Sequence, residues 1–197
     1  MSETPRTARV ERRTAETEIT LSLDLDGSGR ADVQTGLGFL DHMLTALAKH
    51  GRFDLELDCD GDLEVDDHHT AEDCALALGA AFDRALGERR GIRRFGHAYA
   101  PLDEALARVV VDFSGRPSAH VELGFRRERI GEIATENLTH VFVSLAIAAR
   151  MTLHVDVLKG SNDHHRAEAA FKALALALRE AVALDGSGEV PSTKGVL

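Results

Sequence analysis

Asp66-Asp67-His68-His69-Thr70-Ala71-Glu72-Asp73 opens one apolar helical run, and Asn162-Asp163-His164-His165-Arg166-Ala167-Glu168-Ala169 opens another, its His pair 96 positions after the first. The chain thus uses one pattern, His-His-x-x-Glu, twice. On a helix, residues four apart share a face, whereas neighbours diverge by about 100°. His68 and Glu72 can therefore face one ion while His69 turns towards a second, and His164, Glu168 and His165 mirror this in the other copy. Two copies make two mixed sites, each drawing on both repeats. Taken singly, a His pair at a helix start is more often a solvated or capping pair; its repetition, with Glu at the same offset, favours metal. Imidazole and carboxylate without thiolate suit manganese, iron, nickel or zinc, and residue types alone do not choose among them.

The surrounding chain repeats as well. Gly36 to Leu44 leads into an apolar-periodic helix ending near His50-Gly51, and strands over Phe53–Asp58 and Leu63–Asp67 should deliver the first His pair to a helix over Thr70–Leu86. In the second half a helix over Glu136–Arg150 and a strand over Met151–Leu158 precede the second His pair. His42 lies 26 positions before His68 and His140 lies 24 before His164, so both become candidate third histidines, one per site. The duplication divides the chain into residues 1–91 and 92–197. His50, His97, His120 and His154 have no such pairing and are read as structural or peripheral.

Composition narrows the function classes. The 197 residues are 44% hydrophobic and 28% charged, the make-up of a soluble globular chain. No run of about 20 apolar residues and no signal-peptide core is present, so membrane and export readings drop out and a cytoplasmic protein is expected. A formal charge of -10 argues against nucleic acid as a partner, while local Arg and Lys can still hold one phosphate. Cys59 and Cys74, in no Cys-x-x-Cys spacing, read as small buried hydrophobes.

Ahead of the first repeat, Arg9–Arg13 is extended, Thr17–Leu25 alternates as a strand, and Asp26-Gly27-Ser28-Gly29 reads as a hairpin turn into Ala31–Gln34. Glu16 beside that strand looks like a surface residue. Between the copies, Val109–Phe113 is a buried strand followed by a turn at Ser114-Gly115-Arg116-Pro117. Arg94 and Arg116 read as ordinary surface charges. The Ser192-Thr193-Lys194-Gly195 tail can hold phosphate through hydroxyl, ammonium and backbone N–H groups, although such tails are usually mobile ends.

Gly38-Phe39-Leu40-Asp41-His42-Met43, Asp67-His68-His69-Thr70-Ala71-Glu72-Asp73, Asp112-Phe113-Ser114-Gly115-Arg116-Pro117, Glu136-Asn137-Leu138-Thr139-His140 and Pro191-Ser192-Thr193-Lys194-Gly195 together resemble the imidazoleglycerol-phosphate dehydratases of histidine biosynthesis. The resemblance runs over nearly the whole chain, at the length of the single-function form without a fused phosphatase. It implies an α+β fold of two similar halves, each a four-stranded sheet packed against helices, like the second domain of a small-subunit ribosomal protein. It also implies a 24-subunit shell built from trimers, with active sites at subunit contacts and two manganese ions per site. One ion would take His42, His69, His164 and Glu168, and the other His68, Glu72, His140 and His165, not necessarily from one chain. Glu16 matches the family's substrate-contacting glutamate, and Arg94, Arg116, Lys172, Ser192 and Lys194 match its phosphate-holding residues. Leu102 departs from a common methionine, away from every implied ligand.

The implied reaction removes water from imidazole glycerol phosphate to give imidazole acetol phosphate. No carbonyl activates the C–H bond beside the leaving hydroxyl, so the ring must supply the electrons: an imidazolate held by two metal ions would expel the hydroxyl through a diazafulvene. Glu16 is the candidate general acid-base. Two other classes fit the residues alone: a dinuclear hydrolase of phosphate esters, and a metal-binding protein without turnover.

Overall fold

The computed structural model describes residues 5–197. Its first half runs β1 (Thr7–Arg13), β2 (Thr17–Asp24), β3 (Ala31–Gln34), α1 (Gly38–Gly51), β4 (Asp54–Gly61) and α2 (His68–Leu86). The second runs β5 (Phe95–Leu102), β6 (Ala105–Asp112), β7 (Ser118–Glu122), the two-residue strands β8 (Arg129–Ile130) and β9 (Ile133–Ala134), α3 (Thr135–Ala148), β10 (Thr152–Lys159) and α4 (Asp163–Val182). The sheets have orders β1-β2-β4-β3 and β5-β6-β10-β7, so every strand of one has its counterpart in the other, and β8-β9 is an addition to the second half. The architecture is the duplicated α+β fold expected from the sequence.

Two expectations need correction. Asp26–Gly29 does not close a hairpin, because β3 pairs with β4 in parallel rather than folding back on β2. The cause is Asp54 at the start of β4: its Oδ1 accepts the N–H groups of Ser28, Gly29 and Arg30, and the Leu55 N–H donates to the Arg30 carbonyl. The turn is thereby captured by β4 and sends the chain along it. Leu63–Asp67 is not a strand either. It is a turn in which the Val65 N–H donates to the Asp62 carbonyl, while Val65 stands 64% exposed and brings nothing to the core.

Helix α1 ends as the periodicity implies, with one refinement. Gly51 is its last residue, and Arg52 takes the left-handed conformation (φ 59°) and donates its N–H to the Ala48 carbonyl. Gly51 is glycine for a steric reason, since a Cβ there would lie 2.4 Å from the Phe53 ring folded over the helix end.

The helices cross between the halves. α2 lies on β1 and β2 of its own sheet and α4 on β5 and β6 of its own, but α1 packs against α4, and α3 packs against α2. Phe53 meets Phe82 edge-on at 5.2 Å in the first half, and Phe142 on α3 meets Phe171 on α4 at 4.6 Å, all four rings fully buried. Cys59 and Cys74 are buried free thiols, as expected.

Gly79 sets how near α2 and α3 can come. A Cβ added there would lie 2.6 Å from the Leu145 carbonyl oxygen and 2.7 Å from the Ala148 Cβ. We therefore expect G79A, which a free helix would welcome, to destabilise this protein by about 1–3 kcal/mol through overpacking. Denaturant unfolding of the metal-free protein checks this, and an unchanged or raised midpoint would contradict the close approach.

Candidate metal centre

Local chemistry starts both His-bearing helices where the pairs need them. Asp66 Oδ1 accepts the His68 N–H at 2.8 Å, and Asn162, the N-cap of α4, accepts the His164 N–H at 2.9 Å. These bonds satisfy helix-start donors that lack intrahelical partners. Each His pair therefore sits in a first turn, with its glutamate one turn further on the face of the first histidine.

The crossing of helices then supplies the third histidine from the other half. His42 on α1 brings its Nε2 to 3.2 Å from Glu168 Oε2, and His164 Nε2 approaches the same oxygen at 3.2 Å. His140 on α3 brings its Nε2 to 3.1 Å from Glu72 Oε1, with His68 Nε2 3.6 Å from Glu72 Oε2. In each group of three the donor atoms lie within 4.8 Å of one another. Two imidazoles and a carboxylate converging at this distance fit a divalent cation of the manganese-to-zinc series.

The rings are oriented from behind. Asp67 Oδ2 accepts from Asn137 Nδ2, which fixes the amide so that Asn137 Oδ1 faces His68 Nδ1 at 2.8 Å. That ring nitrogen must then donate, leaving Nε2 as the lone-pair nitrogen towards Glu72. In the repeat, Phe39 occupies the place of Asn137 and meets the His164 ring edge-on at 5.0 Å. The two triads are thus alike in ligands and unlike in support.

His69 and His165 turn away from both triads, as their helical phase requires. His69 Nδ1 lies 3.0 Å from Asp62 Oδ2, and its Nε2 is 3.6 Å from Glu16 Oε1. His165 Nδ1 lies 2.7 Å from Glu104 Oε2. The hydrogen bond to Asp62 raises the affinity of His69 for a proton, and that to Glu104 does the same for His165. One chain therefore brings together three of each set of four ligands that the resemblance implies. Glu16 is exposed, in a shallow pocket with Arg13, Asp62 and Glu64. Asp62, Asn137 and Glu104 were not singled out in the sequence. Asn137 stood only inside the Glu136–His140 motif, with no role of its own, and Glu104 had a positional signal, since it directly precedes its strand as Glu16 precedes β2.

The phosphate candidates divide into two places. Lys172 places its Nζ 2.7 Å from Glu168 Oε1, against a triad. Arg94 is not a free surface charge, because its guanidinium grips Asp112 at 2.7 and 3.1 Å and donates to the Pro191 carbonyl at 2.9 Å. Arg116 donates to the Ser114 carbonyl, and the Lys194 N–H donates to Ser192 Oγ. The Arg94 N–H donates to Ala181, at the far end of α4 from His164. Seventeen residues of helix put that point about 25 Å from the triad.

The chain matches a model of the imidazoleglycerol-phosphate dehydratase family over residues 35–178. It is 62% identical over 192 residues to imidazoleglycerol-phosphate dehydratase of Phytophthora nicotianae, covering 98% of this chain and 42% of that longer protein. It is 60% identical over 208 residues to that of Candida glabrata, covering 96% of this chain and 99% of the relative. The crystal structure of imidazoleglycerol-phosphate dehydratase from Staphylococcus aureus superposes with a TM-score of 0.82 at 35% identity, over 90% of this chain and 99% of that one.

Glu168 gives this arrangement a pH signature. Burial pushes its carboxyl up, but Lys172, His42 and His164 outweigh that and hold it at about 2, below its ordinary 4.5. A depressed carboxyl stabilises fully above its ordinary value and loses that contribution as pH falls towards the folded value. In the metal-free protein, unfolding followed from pH 4.5 down to about 2 should therefore depend less steeply on pH in E168Q than in the parent. Parallel pH profiles would remove this account of Glu168.

Proposed function

This chain belongs to the imidazoleglycerol-phosphate dehydratase family, and we propose that its two cross-half triads each hold one manganese ion of the active site. The enzyme is a hydro-lyase of histidine biosynthesis that takes water from imidazole glycerol phosphate to give imidazole acetol phosphate. The observation that carries the metal reading is the doubled triad itself: two histidines and a glutamate converge twice, each time from both repeats.

In this reading His42, His164 and Glu168 hold one ion and His68, Glu72 and His140 the other. His69 completes the first set and His165 the second, each offered from a neighbouring subunit, because within its own chain each faces away. When bound, the two cations supply Lewis acidity to the substrate ring, which the unactivated C–H bond requires. The chain's own groups do the rest. Glu16, its side chain exposed beside His69, moves the proton at the reacting carbon. Arg94, Arg116, Ser192 and Lys194 hold the phosphate at one end of the molecule, and Lys172, in the middle of α4 with its ammonium against Glu168, reaches it from the side of the triad. Fixing the phosphate orients the side chain for loss of the hydroxyl.

The separation along α4 supports assembly. Arg94 and Glu168 of one chain are too far apart to serve one small substrate, so a complete site joins the tail end of one subunit to the helix starts of another. The 24-subunit shell supplies such contacts. No helix among the described residues is long and apolar enough to cross a membrane. The cytoplasm is the compartment we propose.

Two experiments test this reading. E16Q should keep its bound manganese and lose about 10²- to 10⁴-fold in kcat; near-parent turnover would remove Glu16 from the chemistry. E168Q and R94A should each be inactive alone yet recover part of the parent activity when coexpressed in mixed assemblies. Absence of recovery in assemblies shown to contain both chains would mean that each site is built within one chain.

A further inference from the structure

The duplication places a second glutamate where Glu16 stands. Glu16 directly precedes β2 and Glu104 directly precedes β6, the matching strand. Across the sheet, Thr17 faces Gly61 in the first half, and Ala105 lies against Gly160 in the second. Each glutamate therefore sits by the exit of its sheet's third strand, beside the second histidine of its own half.

Their surroundings differ. Arg13 pairs with Glu18, so the first hairpin has a four-residue loop, Thr14–Thr17. Leu102 pairs with Ala105, so the second is a tight turn of Asp103 and Glu104, with Asp103 at φ 46°. The tight turn holds Glu104 against the entrance of α4. Its Oε1 accepts the Ser161 N–H at 3.0 Å, the Ser161 hydroxyl at 3.1 Å and the Asn162 N–H at 2.8 Å. Its Oε2 faces His165 Nδ1 at 2.7 Å. A carboxylate so held accepts from Nδ1 and leaves Nε2 of His165 as the lone-pair nitrogen.

The first half reaches the same result with another residue. There Asp62, one position beyond Gly61, takes His69 Nδ1. The position one beyond Gly160 is Ser161, which has no carboxylate to offer. We propose that Glu104 is a positioning residue of the metal centre, fixing His165 with Nδ1 protonated and Nε2 presented to a manganese ion, in place of the aspartate that the second half lacks. The first half, which has Asp62, leaves Glu16 free of this duty and available to the substrate. The proposal rests on His165 being a ligand.

The test is a manganese titration of the assembled enzyme, followed by the electron paramagnetic resonance of free Mn²⁺. E104A should weaken one of the two ions per subunit by about 10- to 100-fold and leave the other unchanged. E104A/S161D, which places an aspartate where the first half has Asp62, should recover most of that loss, which a merely structural role of Glu104 would not allow. Parent affinity in E104A, or a loss that S161D does not recover, would overturn the proposal. H165A separates it from the reading beneath: H165A should lose one ion, and if it keeps both at parent affinity, His165 is not a ligand.

Discussion

Everything at the candidate centre depends on helices that leave their own half. α1 lies on α4 and α3 on α2, so the third histidine of each triad reaches a His-x-x-x-Glu face whose glutamate is 126 residues away in sequence for His42 and 68 for His140. Between α2 and α3 the contact is close because a small residue permits it, with Gly79 against Leu145 and Ala148. A duplication that packed each half separately would produce two incomplete pairs. The crossing converts two identical pairs into two sets of three, and the same hydrophobic burial that stabilises the fold sets the distances between the donor atoms.

Packing alone leaves imidazole rings free to turn, and the hydrogen bonds behind them remove that freedom. Asp67 fixes Asn137, which fixes His68; Asp62 fixes His69; Glu104 fixes His165. Each of these bonds engages Nδ1, so each leaves Nε2 for a ligand, the arrangement by which proteins select one tautomer of a metal-binding histidine. His42, His140 and His164 have no such bond at Nδ1 among the described residues, and His164 is met instead by the edge of Phe39. The repeats have thus diverged behind their triads while the two histidines and the glutamate of each triad stayed the same.

What the sequence revealed and what it hid follow from distance along the chain. The spacing of His68 and Glu72, and of His164 and Glu168, is local helix geometry, so the two faces and the turned-away second histidines were legible at once. The third histidines were legible only because the repeat aligned His42 with His140. The path of β3 was not, because Asp54 captures the 28–30 turn from outside it. Nor was the position of Glu104, whose partners stand 57 to 61 residues away in sequence. Arg94 read as a surface charge because nothing near it in sequence announces Asp112 or the Pro191 carbonyl.

The Arg94 N–H meets α4 at Ala181, about 25 Å along the helix from His164, so the proposed sharing of one substrate by Arg94 and the triads requires two chains. The central claim, that the two cross-half triads are two separate ion sites, is tested most directly by counting tightly bound manganese per subunit in the parent enzyme, H42A and H140A, all in intact assemblies. The account predicts two ions in the parent and one in each variant, with a different ion lost from each. Two ions retained in both variants would contradict it.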